Sequence, residues 1–142
     1  MSFPYSRKSK SENDTIAIAD EFSKYLKRGM IVVLNGDLGT GKTFFTKQVL
    51  KKFGVTNSNS PTFAIVNPYS GDETFYHFDF YRINKEEELH DIGIEDYLKD
   101  EESIIFIEWG NLFPQVIPHT RIEINISFVD ENEREFSFKE YE

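Results

Sequence analysis

The sequence predicts an α/β protein with three α/β/α layers, built on a mixed, mainly parallel sheet with antiparallel edge strands. Three observations carry that expectation. Residues 30–35 (MIVVLN) and 103–110 (SIIFIEWG) hold consecutive rather than alternate apolar positions, as strands covered on both faces do. Three glycines in residues 36–41 follow the first of these strands and lead into a helical pattern. Two pairs of strand-like runs, 60–69 with 73–83 and 120–129 with 134–141, are split by turn-forming residues, the pattern of hairpins added at a sheet margin. A chain of 142 residues fits one domain, taken here as residues 1–142 with residues 1–12 loosely ordered.

The elements follow in order. Ile18, Phe22, Tyr25 and Leu26 share one helix face; Asn13 or Asp14 can cap that helix and Gly29 ends it. The strand at 30–35, the glycine turn and a helix over residues 42–53 come next, with Gly54 as the stop. An SGD turn joins the first hairpin. NKEEELHDIG (84–93) opens a short helix with Asn84 as cap, Glu87 three residues on and Gly93 at its end, and EDYL adds a further turn. Pro114 and Pro118 keep the following stretch irregular. TRIEINISFV and REFSFKEY alternate apolar and polar residues, so each presents one wet face, and DENE turns between them. Fourteen Phe and seven Tyr predict an aromatic-rich core.

Composition narrows the function classes. Without cysteine there is no disulfide, iron–sulfur centre or cysteine-based zinc site. The first 15 residues lack the apolar stretch of a secretory signal, and no apolar run reaches the ~20 residues of a membrane span; a cytoplasmic location is expected. The net charge of −9 disfavours direct binding to nucleic acid. Nine of the acidic residues fall between positions 86 and 102, against Lys99 alone, and form either a solvated helix face or a docking surface for a basic partner.

Gly36-Asp37-Leu38-Gly39-Thr40-Gly41-Lys42-Thr43 satisfies the Walker A pattern G-x-x-x-x-G-K-[ST]. At average residue frequencies a chance match in a chain this long has odds of roughly one in two hundred, and both the preceding strand and the following helix are present. Such a loop turns successive backbone N–H groups into one concavity, and the helix adds its unpaired amides and positive dipole end. Lys42 is thereby cast on the β- and γ-phosphates and Thr43 on magnesium. A Ras-type guanine reader, N-K-x-D, is missing, because the Asn84-Lys85 pair lacks the aspartate; ATP is the expected nucleotide. Glu108 closes a buried apolar run, where it is either the magnesium-holding acid or an ordinary acid at a strand mouth. His77 and Asp79 lie two apart on one strand face. A full zinc ligand set is not expected from three histidines and no cysteine. Asp79 is either a second carboxylate near magnesium and water or the partner of Arg82. Thr62, in the SPT segment 60–62, is a candidate γ-phosphate or magnesium contact. Trp109 packs, stacks or meets a partner.

NGDLGTGKTFF, SPTFAIV, YHFDFYR, EEELHDIGIEDYL and IEWG together resemble, in order and spacing, the bacterial TsaE (YjeE) family, over residues 14–138. The resemblance implies a P-loop NTPase-like fold and a weak ATPase that works with TsaB and TsaD to make threonylcarbamoyladenosine at position 37 of tRNA. The tRNA would be reached only through that complex, with no DNA or membrane partner. It further implies ATP and Mg2+ as ligands. Asp37, Leu38, Gly39, Thr40, Gly41, Lys42, Thr43 and Phe44 would bind the nucleotide, and Thr43 and Glu108 would serve the metal. Lys42, Thr62, Asp79 and Glu108 would act in catalysis. Ser11, in a segment matching one near adenine, and Arg134, matching an arginine of the C-terminal hairpin, would also touch nucleotide. Phe44 departs from the family pattern, where Thr is common. A P-loop small-molecule kinase and a nucleotide-gated scaffold without significant hydrolysis are the rival functions.

Overall fold

A computed structural model describes residues 1–58 and 64–142. Its elements are β1 (Tyr5–Ser9), α1 (Glu12–Ser23), β2 (Ile31–Asn35), α2 (Lys42–Lys52), β3 (Val66–Ser70), β4 (Thr74–Asp79), α3 (Glu86–Asp91), α4 (Ile94–Lys99), β5 (Ser103–Glu108), β6 (Arg121–Asp130) and β7 (Glu133–Tyr141), with short 3₁₀ turns after β4 and β5. Among the described residues the strands form one seven-stranded sheet in the order β1-β7-β6-β2-β5-β4-β3. Its centre, β6-β2-β5-β4, is parallel; β1-β7-β6 on one side and β4-β3 on the other pair antiparallel. Strands alternating with helices and closed by hairpins thus give the mixed α/β architecture that the sequence pattern predicts.

Helices cover both faces. Val32, Leu34, Ile104 and Phe106 pack toward α1 and α2, against Phe22, Phe45, Phe136 and Phe138. Ile31, Val33, Ile105 and Ile107 pack the opposite way, with Phe78, Phe80, Leu89 and Ile94. Consecutive residues of β2 and β5 therefore enter two cores, which is why neither strand shows the alternation of a half-wet strand. The aromatic core is present: eight Phe side chains are fully buried, each contributing roughly 1.5–3 kcal/mol of transfer free energy.

Several local expectations are refined. Within residues 1–12, expected to be loosely ordered, Tyr5–Ser9 form β1, which pairs with β7 from Tyr5↔Phe138 to Ser9↔Arg134. Arg7 bonds Glu21 at 2.9 Å, and the Tyr5 and Phe138 rings lie 5.6 Å apart. This partner is more than 120 positions away, so no local pattern announces it. The cap of α1 is Ser11, whose hydroxyl accepts from Asp14 N–H at 3.1 Å; Asp14 reaches back to Lys10 N–H at 2.9 Å. That helix stops at Ser23, and Gly29, at φ 86°, instead turns the chain into β2. At α3 the Asn84 side chain is not the cap, and Glu88 rather than Glu87 folds back, accepting from Asn84 N–H at 2.7 Å and Lys85 N–H at 3.3 Å. Among the described residues no helix is long and apolar enough to cross a membrane.

Candidate nucleotide site

The glycine loop joins the carboxyl end of β2 to α2. Thr40 is 1% exposed and pins the loop from inside, its hydroxyl donating to the Asp37 carbonyl at 2.8 Å. A Cβ on Gly36 would lie 2.6 Å from the Ile126 carbonyl oxygen and 2.7 Å from Thr40 Oγ1, so only glycine fits between β6 and the loop. Gly41 precedes α2 at φ 102°, and no side chain caps the helix. The first-turn amides of an 11-residue helix are therefore left without a side-chain acceptor, facing the loop's open side. Leu38 stands at the tip, 66% exposed.

Lys42, the first residue of α2, is 5% exposed. Its ammonium donates to the Gly36 carbonyl and, at 3.1 Å, to that of Asp37, and lies 4.2 Å from the Trp109 ring centroid. Burial pulls its pKa below the usual lysine value, while Glu108, Asp37 and Asp79 act in the opposite direction. Trp109 takes left-handed backbone angles, φ 63° and ψ 32°, unusual for a residue with a side chain. It leans on Tyr81, ring to ring at 5.0 Å, so the two aromatics form one wall of the cleft.

Glu108 ends β5, 5% exposed, on the face that meets α2. Thr43 Oγ1 lies 3.4 Å from both of its carboxylate oxygens, and His77 Nε2 lies 2.6 Å from Oε2. Asp79 is opposite Glu108 in the parallel β4/β5 register. Its carboxylate accepts from Tyr81 N–H and from Arg82 Nε, both at 3.1 Å, so Asp79 lines the cleft while paired within its own turn. Lys42, Thr43, Asp79, Arg82 and Glu108 together line a cleft of about 370 Å³. A second cavity of about 200 Å³ meets it at Gly41 and Phe44 and is lined by Ser11, Thr15 and Arg134. Arg134 also donates to the Gly39 carbonyl at 3.4 Å.

The structure thus brings together Lys42, Thr43, Asp79 and Glu108 around one cleft, and Ser11 and Arg134 around its neighbour. Thr62 lies outside the described residues. The contact between His77 and Glu108 was missed in the sequence, where His77 was read with Asp79. Its signal was the shared strand face, but which strand lies alongside is set by register. Two oxygen donors near 3 Å apart suit adjacent positions of a small octahedral cation with bonds of about 2.0–2.1 Å, and Thr43 and Glu108 approach that spacing at 3.4 Å.

A parallel-centred sheet, a glycine loop feeding an uncapped helix and a buried acid at the neighbouring strand's end define the class: a P-loop NTPase-like fold. The solved structure of Bacillus subtilis YdiB has the same fold, with a TM-score of 0.83 and 29% identity over 100% of this chain and 88% of that one. The family model for TsaE, threonylcarbamoyl adenosine biosynthesis protein, matches residues 9–136. TsaE of Rickettsia typhi is 39% identical over 132 residues, covering 91% of this chain and 90% of that protein. TsaE of Bacillus subtilis is 38% identical over 127 residues, covering 88% and 78%. The chain belongs to the TsaE family of tRNA threonylcarbamoyladenosine biosynthesis proteins.

Proposed function

We propose that this chain is a magnesium-dependent ATPase of the cytoplasm, required for threonylcarbamoyladenosine modification of tRNA adenosine 37 and acting with TsaB and TsaD. The observation that carries the reading is the convergence of Lys42, Thr43 and Glu108 at the N-terminus of α2. In it the loop amides and Lys42 hold the β- and γ-phosphates, the Lys42 ammonium exchanging its two carbonyl partners for phosphate oxygens. Thr43 and Glu108 are the residues that would hold magnesium. When bound, that ion adds positive charge against the phosphates. Asp79 and Thr62 orient the attacking water or sense the γ-phosphate. Ser11, Phe44 and Arg134 border the smaller cavity, which suits the nucleoside end of ATP.

Turnover by the isolated chain is expected to be slow. Arg82 is held by Asp79, and Arg134, which lines the smaller cavity, by the Gly39 carbonyl. An arginine acting on the transferring phosphate is worth 10³–10⁵ in rate, and a partner would have to provide it. The test is ATP consumption without any added acceptor, with and without TsaB and TsaD. Hydrolysis stimulated by the pair, together with loss of tRNA modification in Glu108→Ala, is the expected result. Consumption only with a small-molecule acceptor would point to a kinase. Normal modification by Glu108→Ala would point to a scaffold, and unaided turnover near ~10 s⁻¹ would contradict the need for a partner.

A further inference from the structure

His77 is two-sidedly enclosed. It sits on β4 between β3 and β5, paired across the sheet with Asn67 and Phe106, and is 9% exposed. Phe75, the preceding residue on the same face, is fully buried in the aromatic core. An apolar side chain would pack there without the desolvation that an imidazole suffers. The ring instead directs Nε2 at Glu108 Oε2, 2.6 Å away, a short hydrogen bond.

We infer that His77 is the positioning residue for the Glu108 carboxylate, fixing the plane of that group so that Oε1 is the oxygen left for a divalent cation beside Thr43. The inference rests on the magnesium reading of Thr43 and Glu108. A glutamate's terminal torsion is broad and roughly two-fold, so its carboxylate has no preferred plane of its own. Thr43 does not choose one either, being 3.4 Å from both oxygens. The hydrogen bond from His77 is the contact that tells the two oxygens apart, and strand pairing on both sides keeps the ring from following a rotating carboxylate. Partners that orient metal-ligating groups in this way are worth 10–100-fold in metal affinity or activity.

The test measures nucleotide binding, not turnover. A non-hydrolysable β,γ-imido analogue of ATP is titrated calorimetrically into the full chain, with Mg2+ and with chelator, and the ratio of the two affinities is the magnesium gain. His77→Leu keeps bulk and removes the donor. It is expected to cut the magnesium gain 10–100-fold while changing the magnesium-free affinity by no more than about twofold. His77→Gln, whose amide can donate over a similar reach, is expected to restore most of the gain, and His77→Asn, too short to reach, is not. Adding His77→Leu to Glu108→Gln should cost nothing further, since the carboxylate it orients is already gone. A wild-type gain in His77→Leu, or equal failure of the Gln and Asn variants while both melt cooperatively, overturns the assignment. Should Glu108→Gln itself leave the gain intact, the magnesium reading fails instead. Loss of the gain in Glu108→Gln but not in His77→Leu overturns the positioning role alone.

Discussion

Gly36→Ala separates the two jobs of the glycine loop, packing against the sheet and leaving room for a ligand. An added Cβ would lie 2.6 Å from the Ile126 carbonyl oxygen and 2.7 Å from Thr40 Oγ1. The first is backbone of the neighbouring strand and cannot swing away; the second belongs to a hydroxyl already bonded to Asp37. Overpacking of this kind costs about 1–3 kcal/mol. The φ of +156° adds about 1 kcal/mol for a residue with a side chain. The total, about 2–4 kcal/mol, corresponds to a fall in Tm of roughly 7–13 °C at this chain length. Gly39 is the contrast. Its φ is +82°, but a Cβ there meets nothing within 4 Å, because the space beside it is the cleft. Gly39→Ala should cost only the left-handed penalty of about 1–2 kcal/mol, while losing MgATP affinity out of proportion to that change. Urea denaturation gives the stabilities and calorimetry the affinities. A Gly36→Ala protein within 0.5 kcal/mol of wild type, or a Gly39→Ala protein just as unstable, would refute the division of labour.

Phe45→Ala should cost about 3–5 kcal/mol in urea denaturation, because Phe45 is fully buried with Phe22, Phe136 and Phe138 ring centroids at 5.9, 5.4 and 6.3 Å. Arg134→Ala should weaken ATP binding about tenfold and stability by under ~1 kcal/mol, since the guanidinium both faces the smaller cavity and holds the Gly39 carbonyl; unchanged affinity would exclude it from the site. A pH dependence is expected at the α3–α4 joint. Hydrogen bonds that His90 donates to Glu86 and then Glu95 raise its pKa, and His90 lowers both carboxyl values. The raised histidine contributes fully below its ordinary value near ~6.5 and fades as pH climbs through its folded value; the lowered carboxyls contribute fully above ~4.3 and fade as pH falls through theirs. The stability difference between wild type and His90→Gln should therefore be largest between about pH 4.3 and 6.5, and a difference flat from pH 3 to 9 would refute the clamp.

The glycine loop was legible because its information is contiguous: glycine spacing, lysine and threonine sit within eight positions of one strand–turn–helix. Strands β2 and β5 were legible for a related reason, since burial on both faces leaves an unbroken apolar run. What stayed hidden depends on pairing between distant segments. Ser11 gave way to Asn13 and Asp14 as the expected cap because all three are good capping residues, and the choice between them was made by β1 ending at Ser9. The bond between His77 and Glu108 requires β4 and β5 to be neighbours in parallel register. Alternation predicts the face of each residue but never the strand beside it.

The antiparallel wing does more than close the edge of the sheet. Strand β6 follows β2 in parallel register only as far as Asn35↔Asn125, then runs on to Asp130. Its extra length overhangs the glycine loop, and it is there that the Ile126 carbonyl closes on Gly36. At the same overhang Arg134 of β7 pairs with Phe128 in the ladder, lies 5.2 Å from its ring centroid and reaches the Gly39 carbonyl. The next neighbour, β1, ends opposite Arg134 at Ser9 and delivers Ser11 to the head of α1, which completes the smaller cavity. The parallel centre thus contributes Lys42, Thr43 and Glu108 through the shared carboxyl ends of its strands. The wing fixes the shape of the loop between them and builds the adjoining cavity. Because β1 anchors this second half, the N-terminal segment shapes the smaller cavity as directly as the glycine loop shapes the larger one.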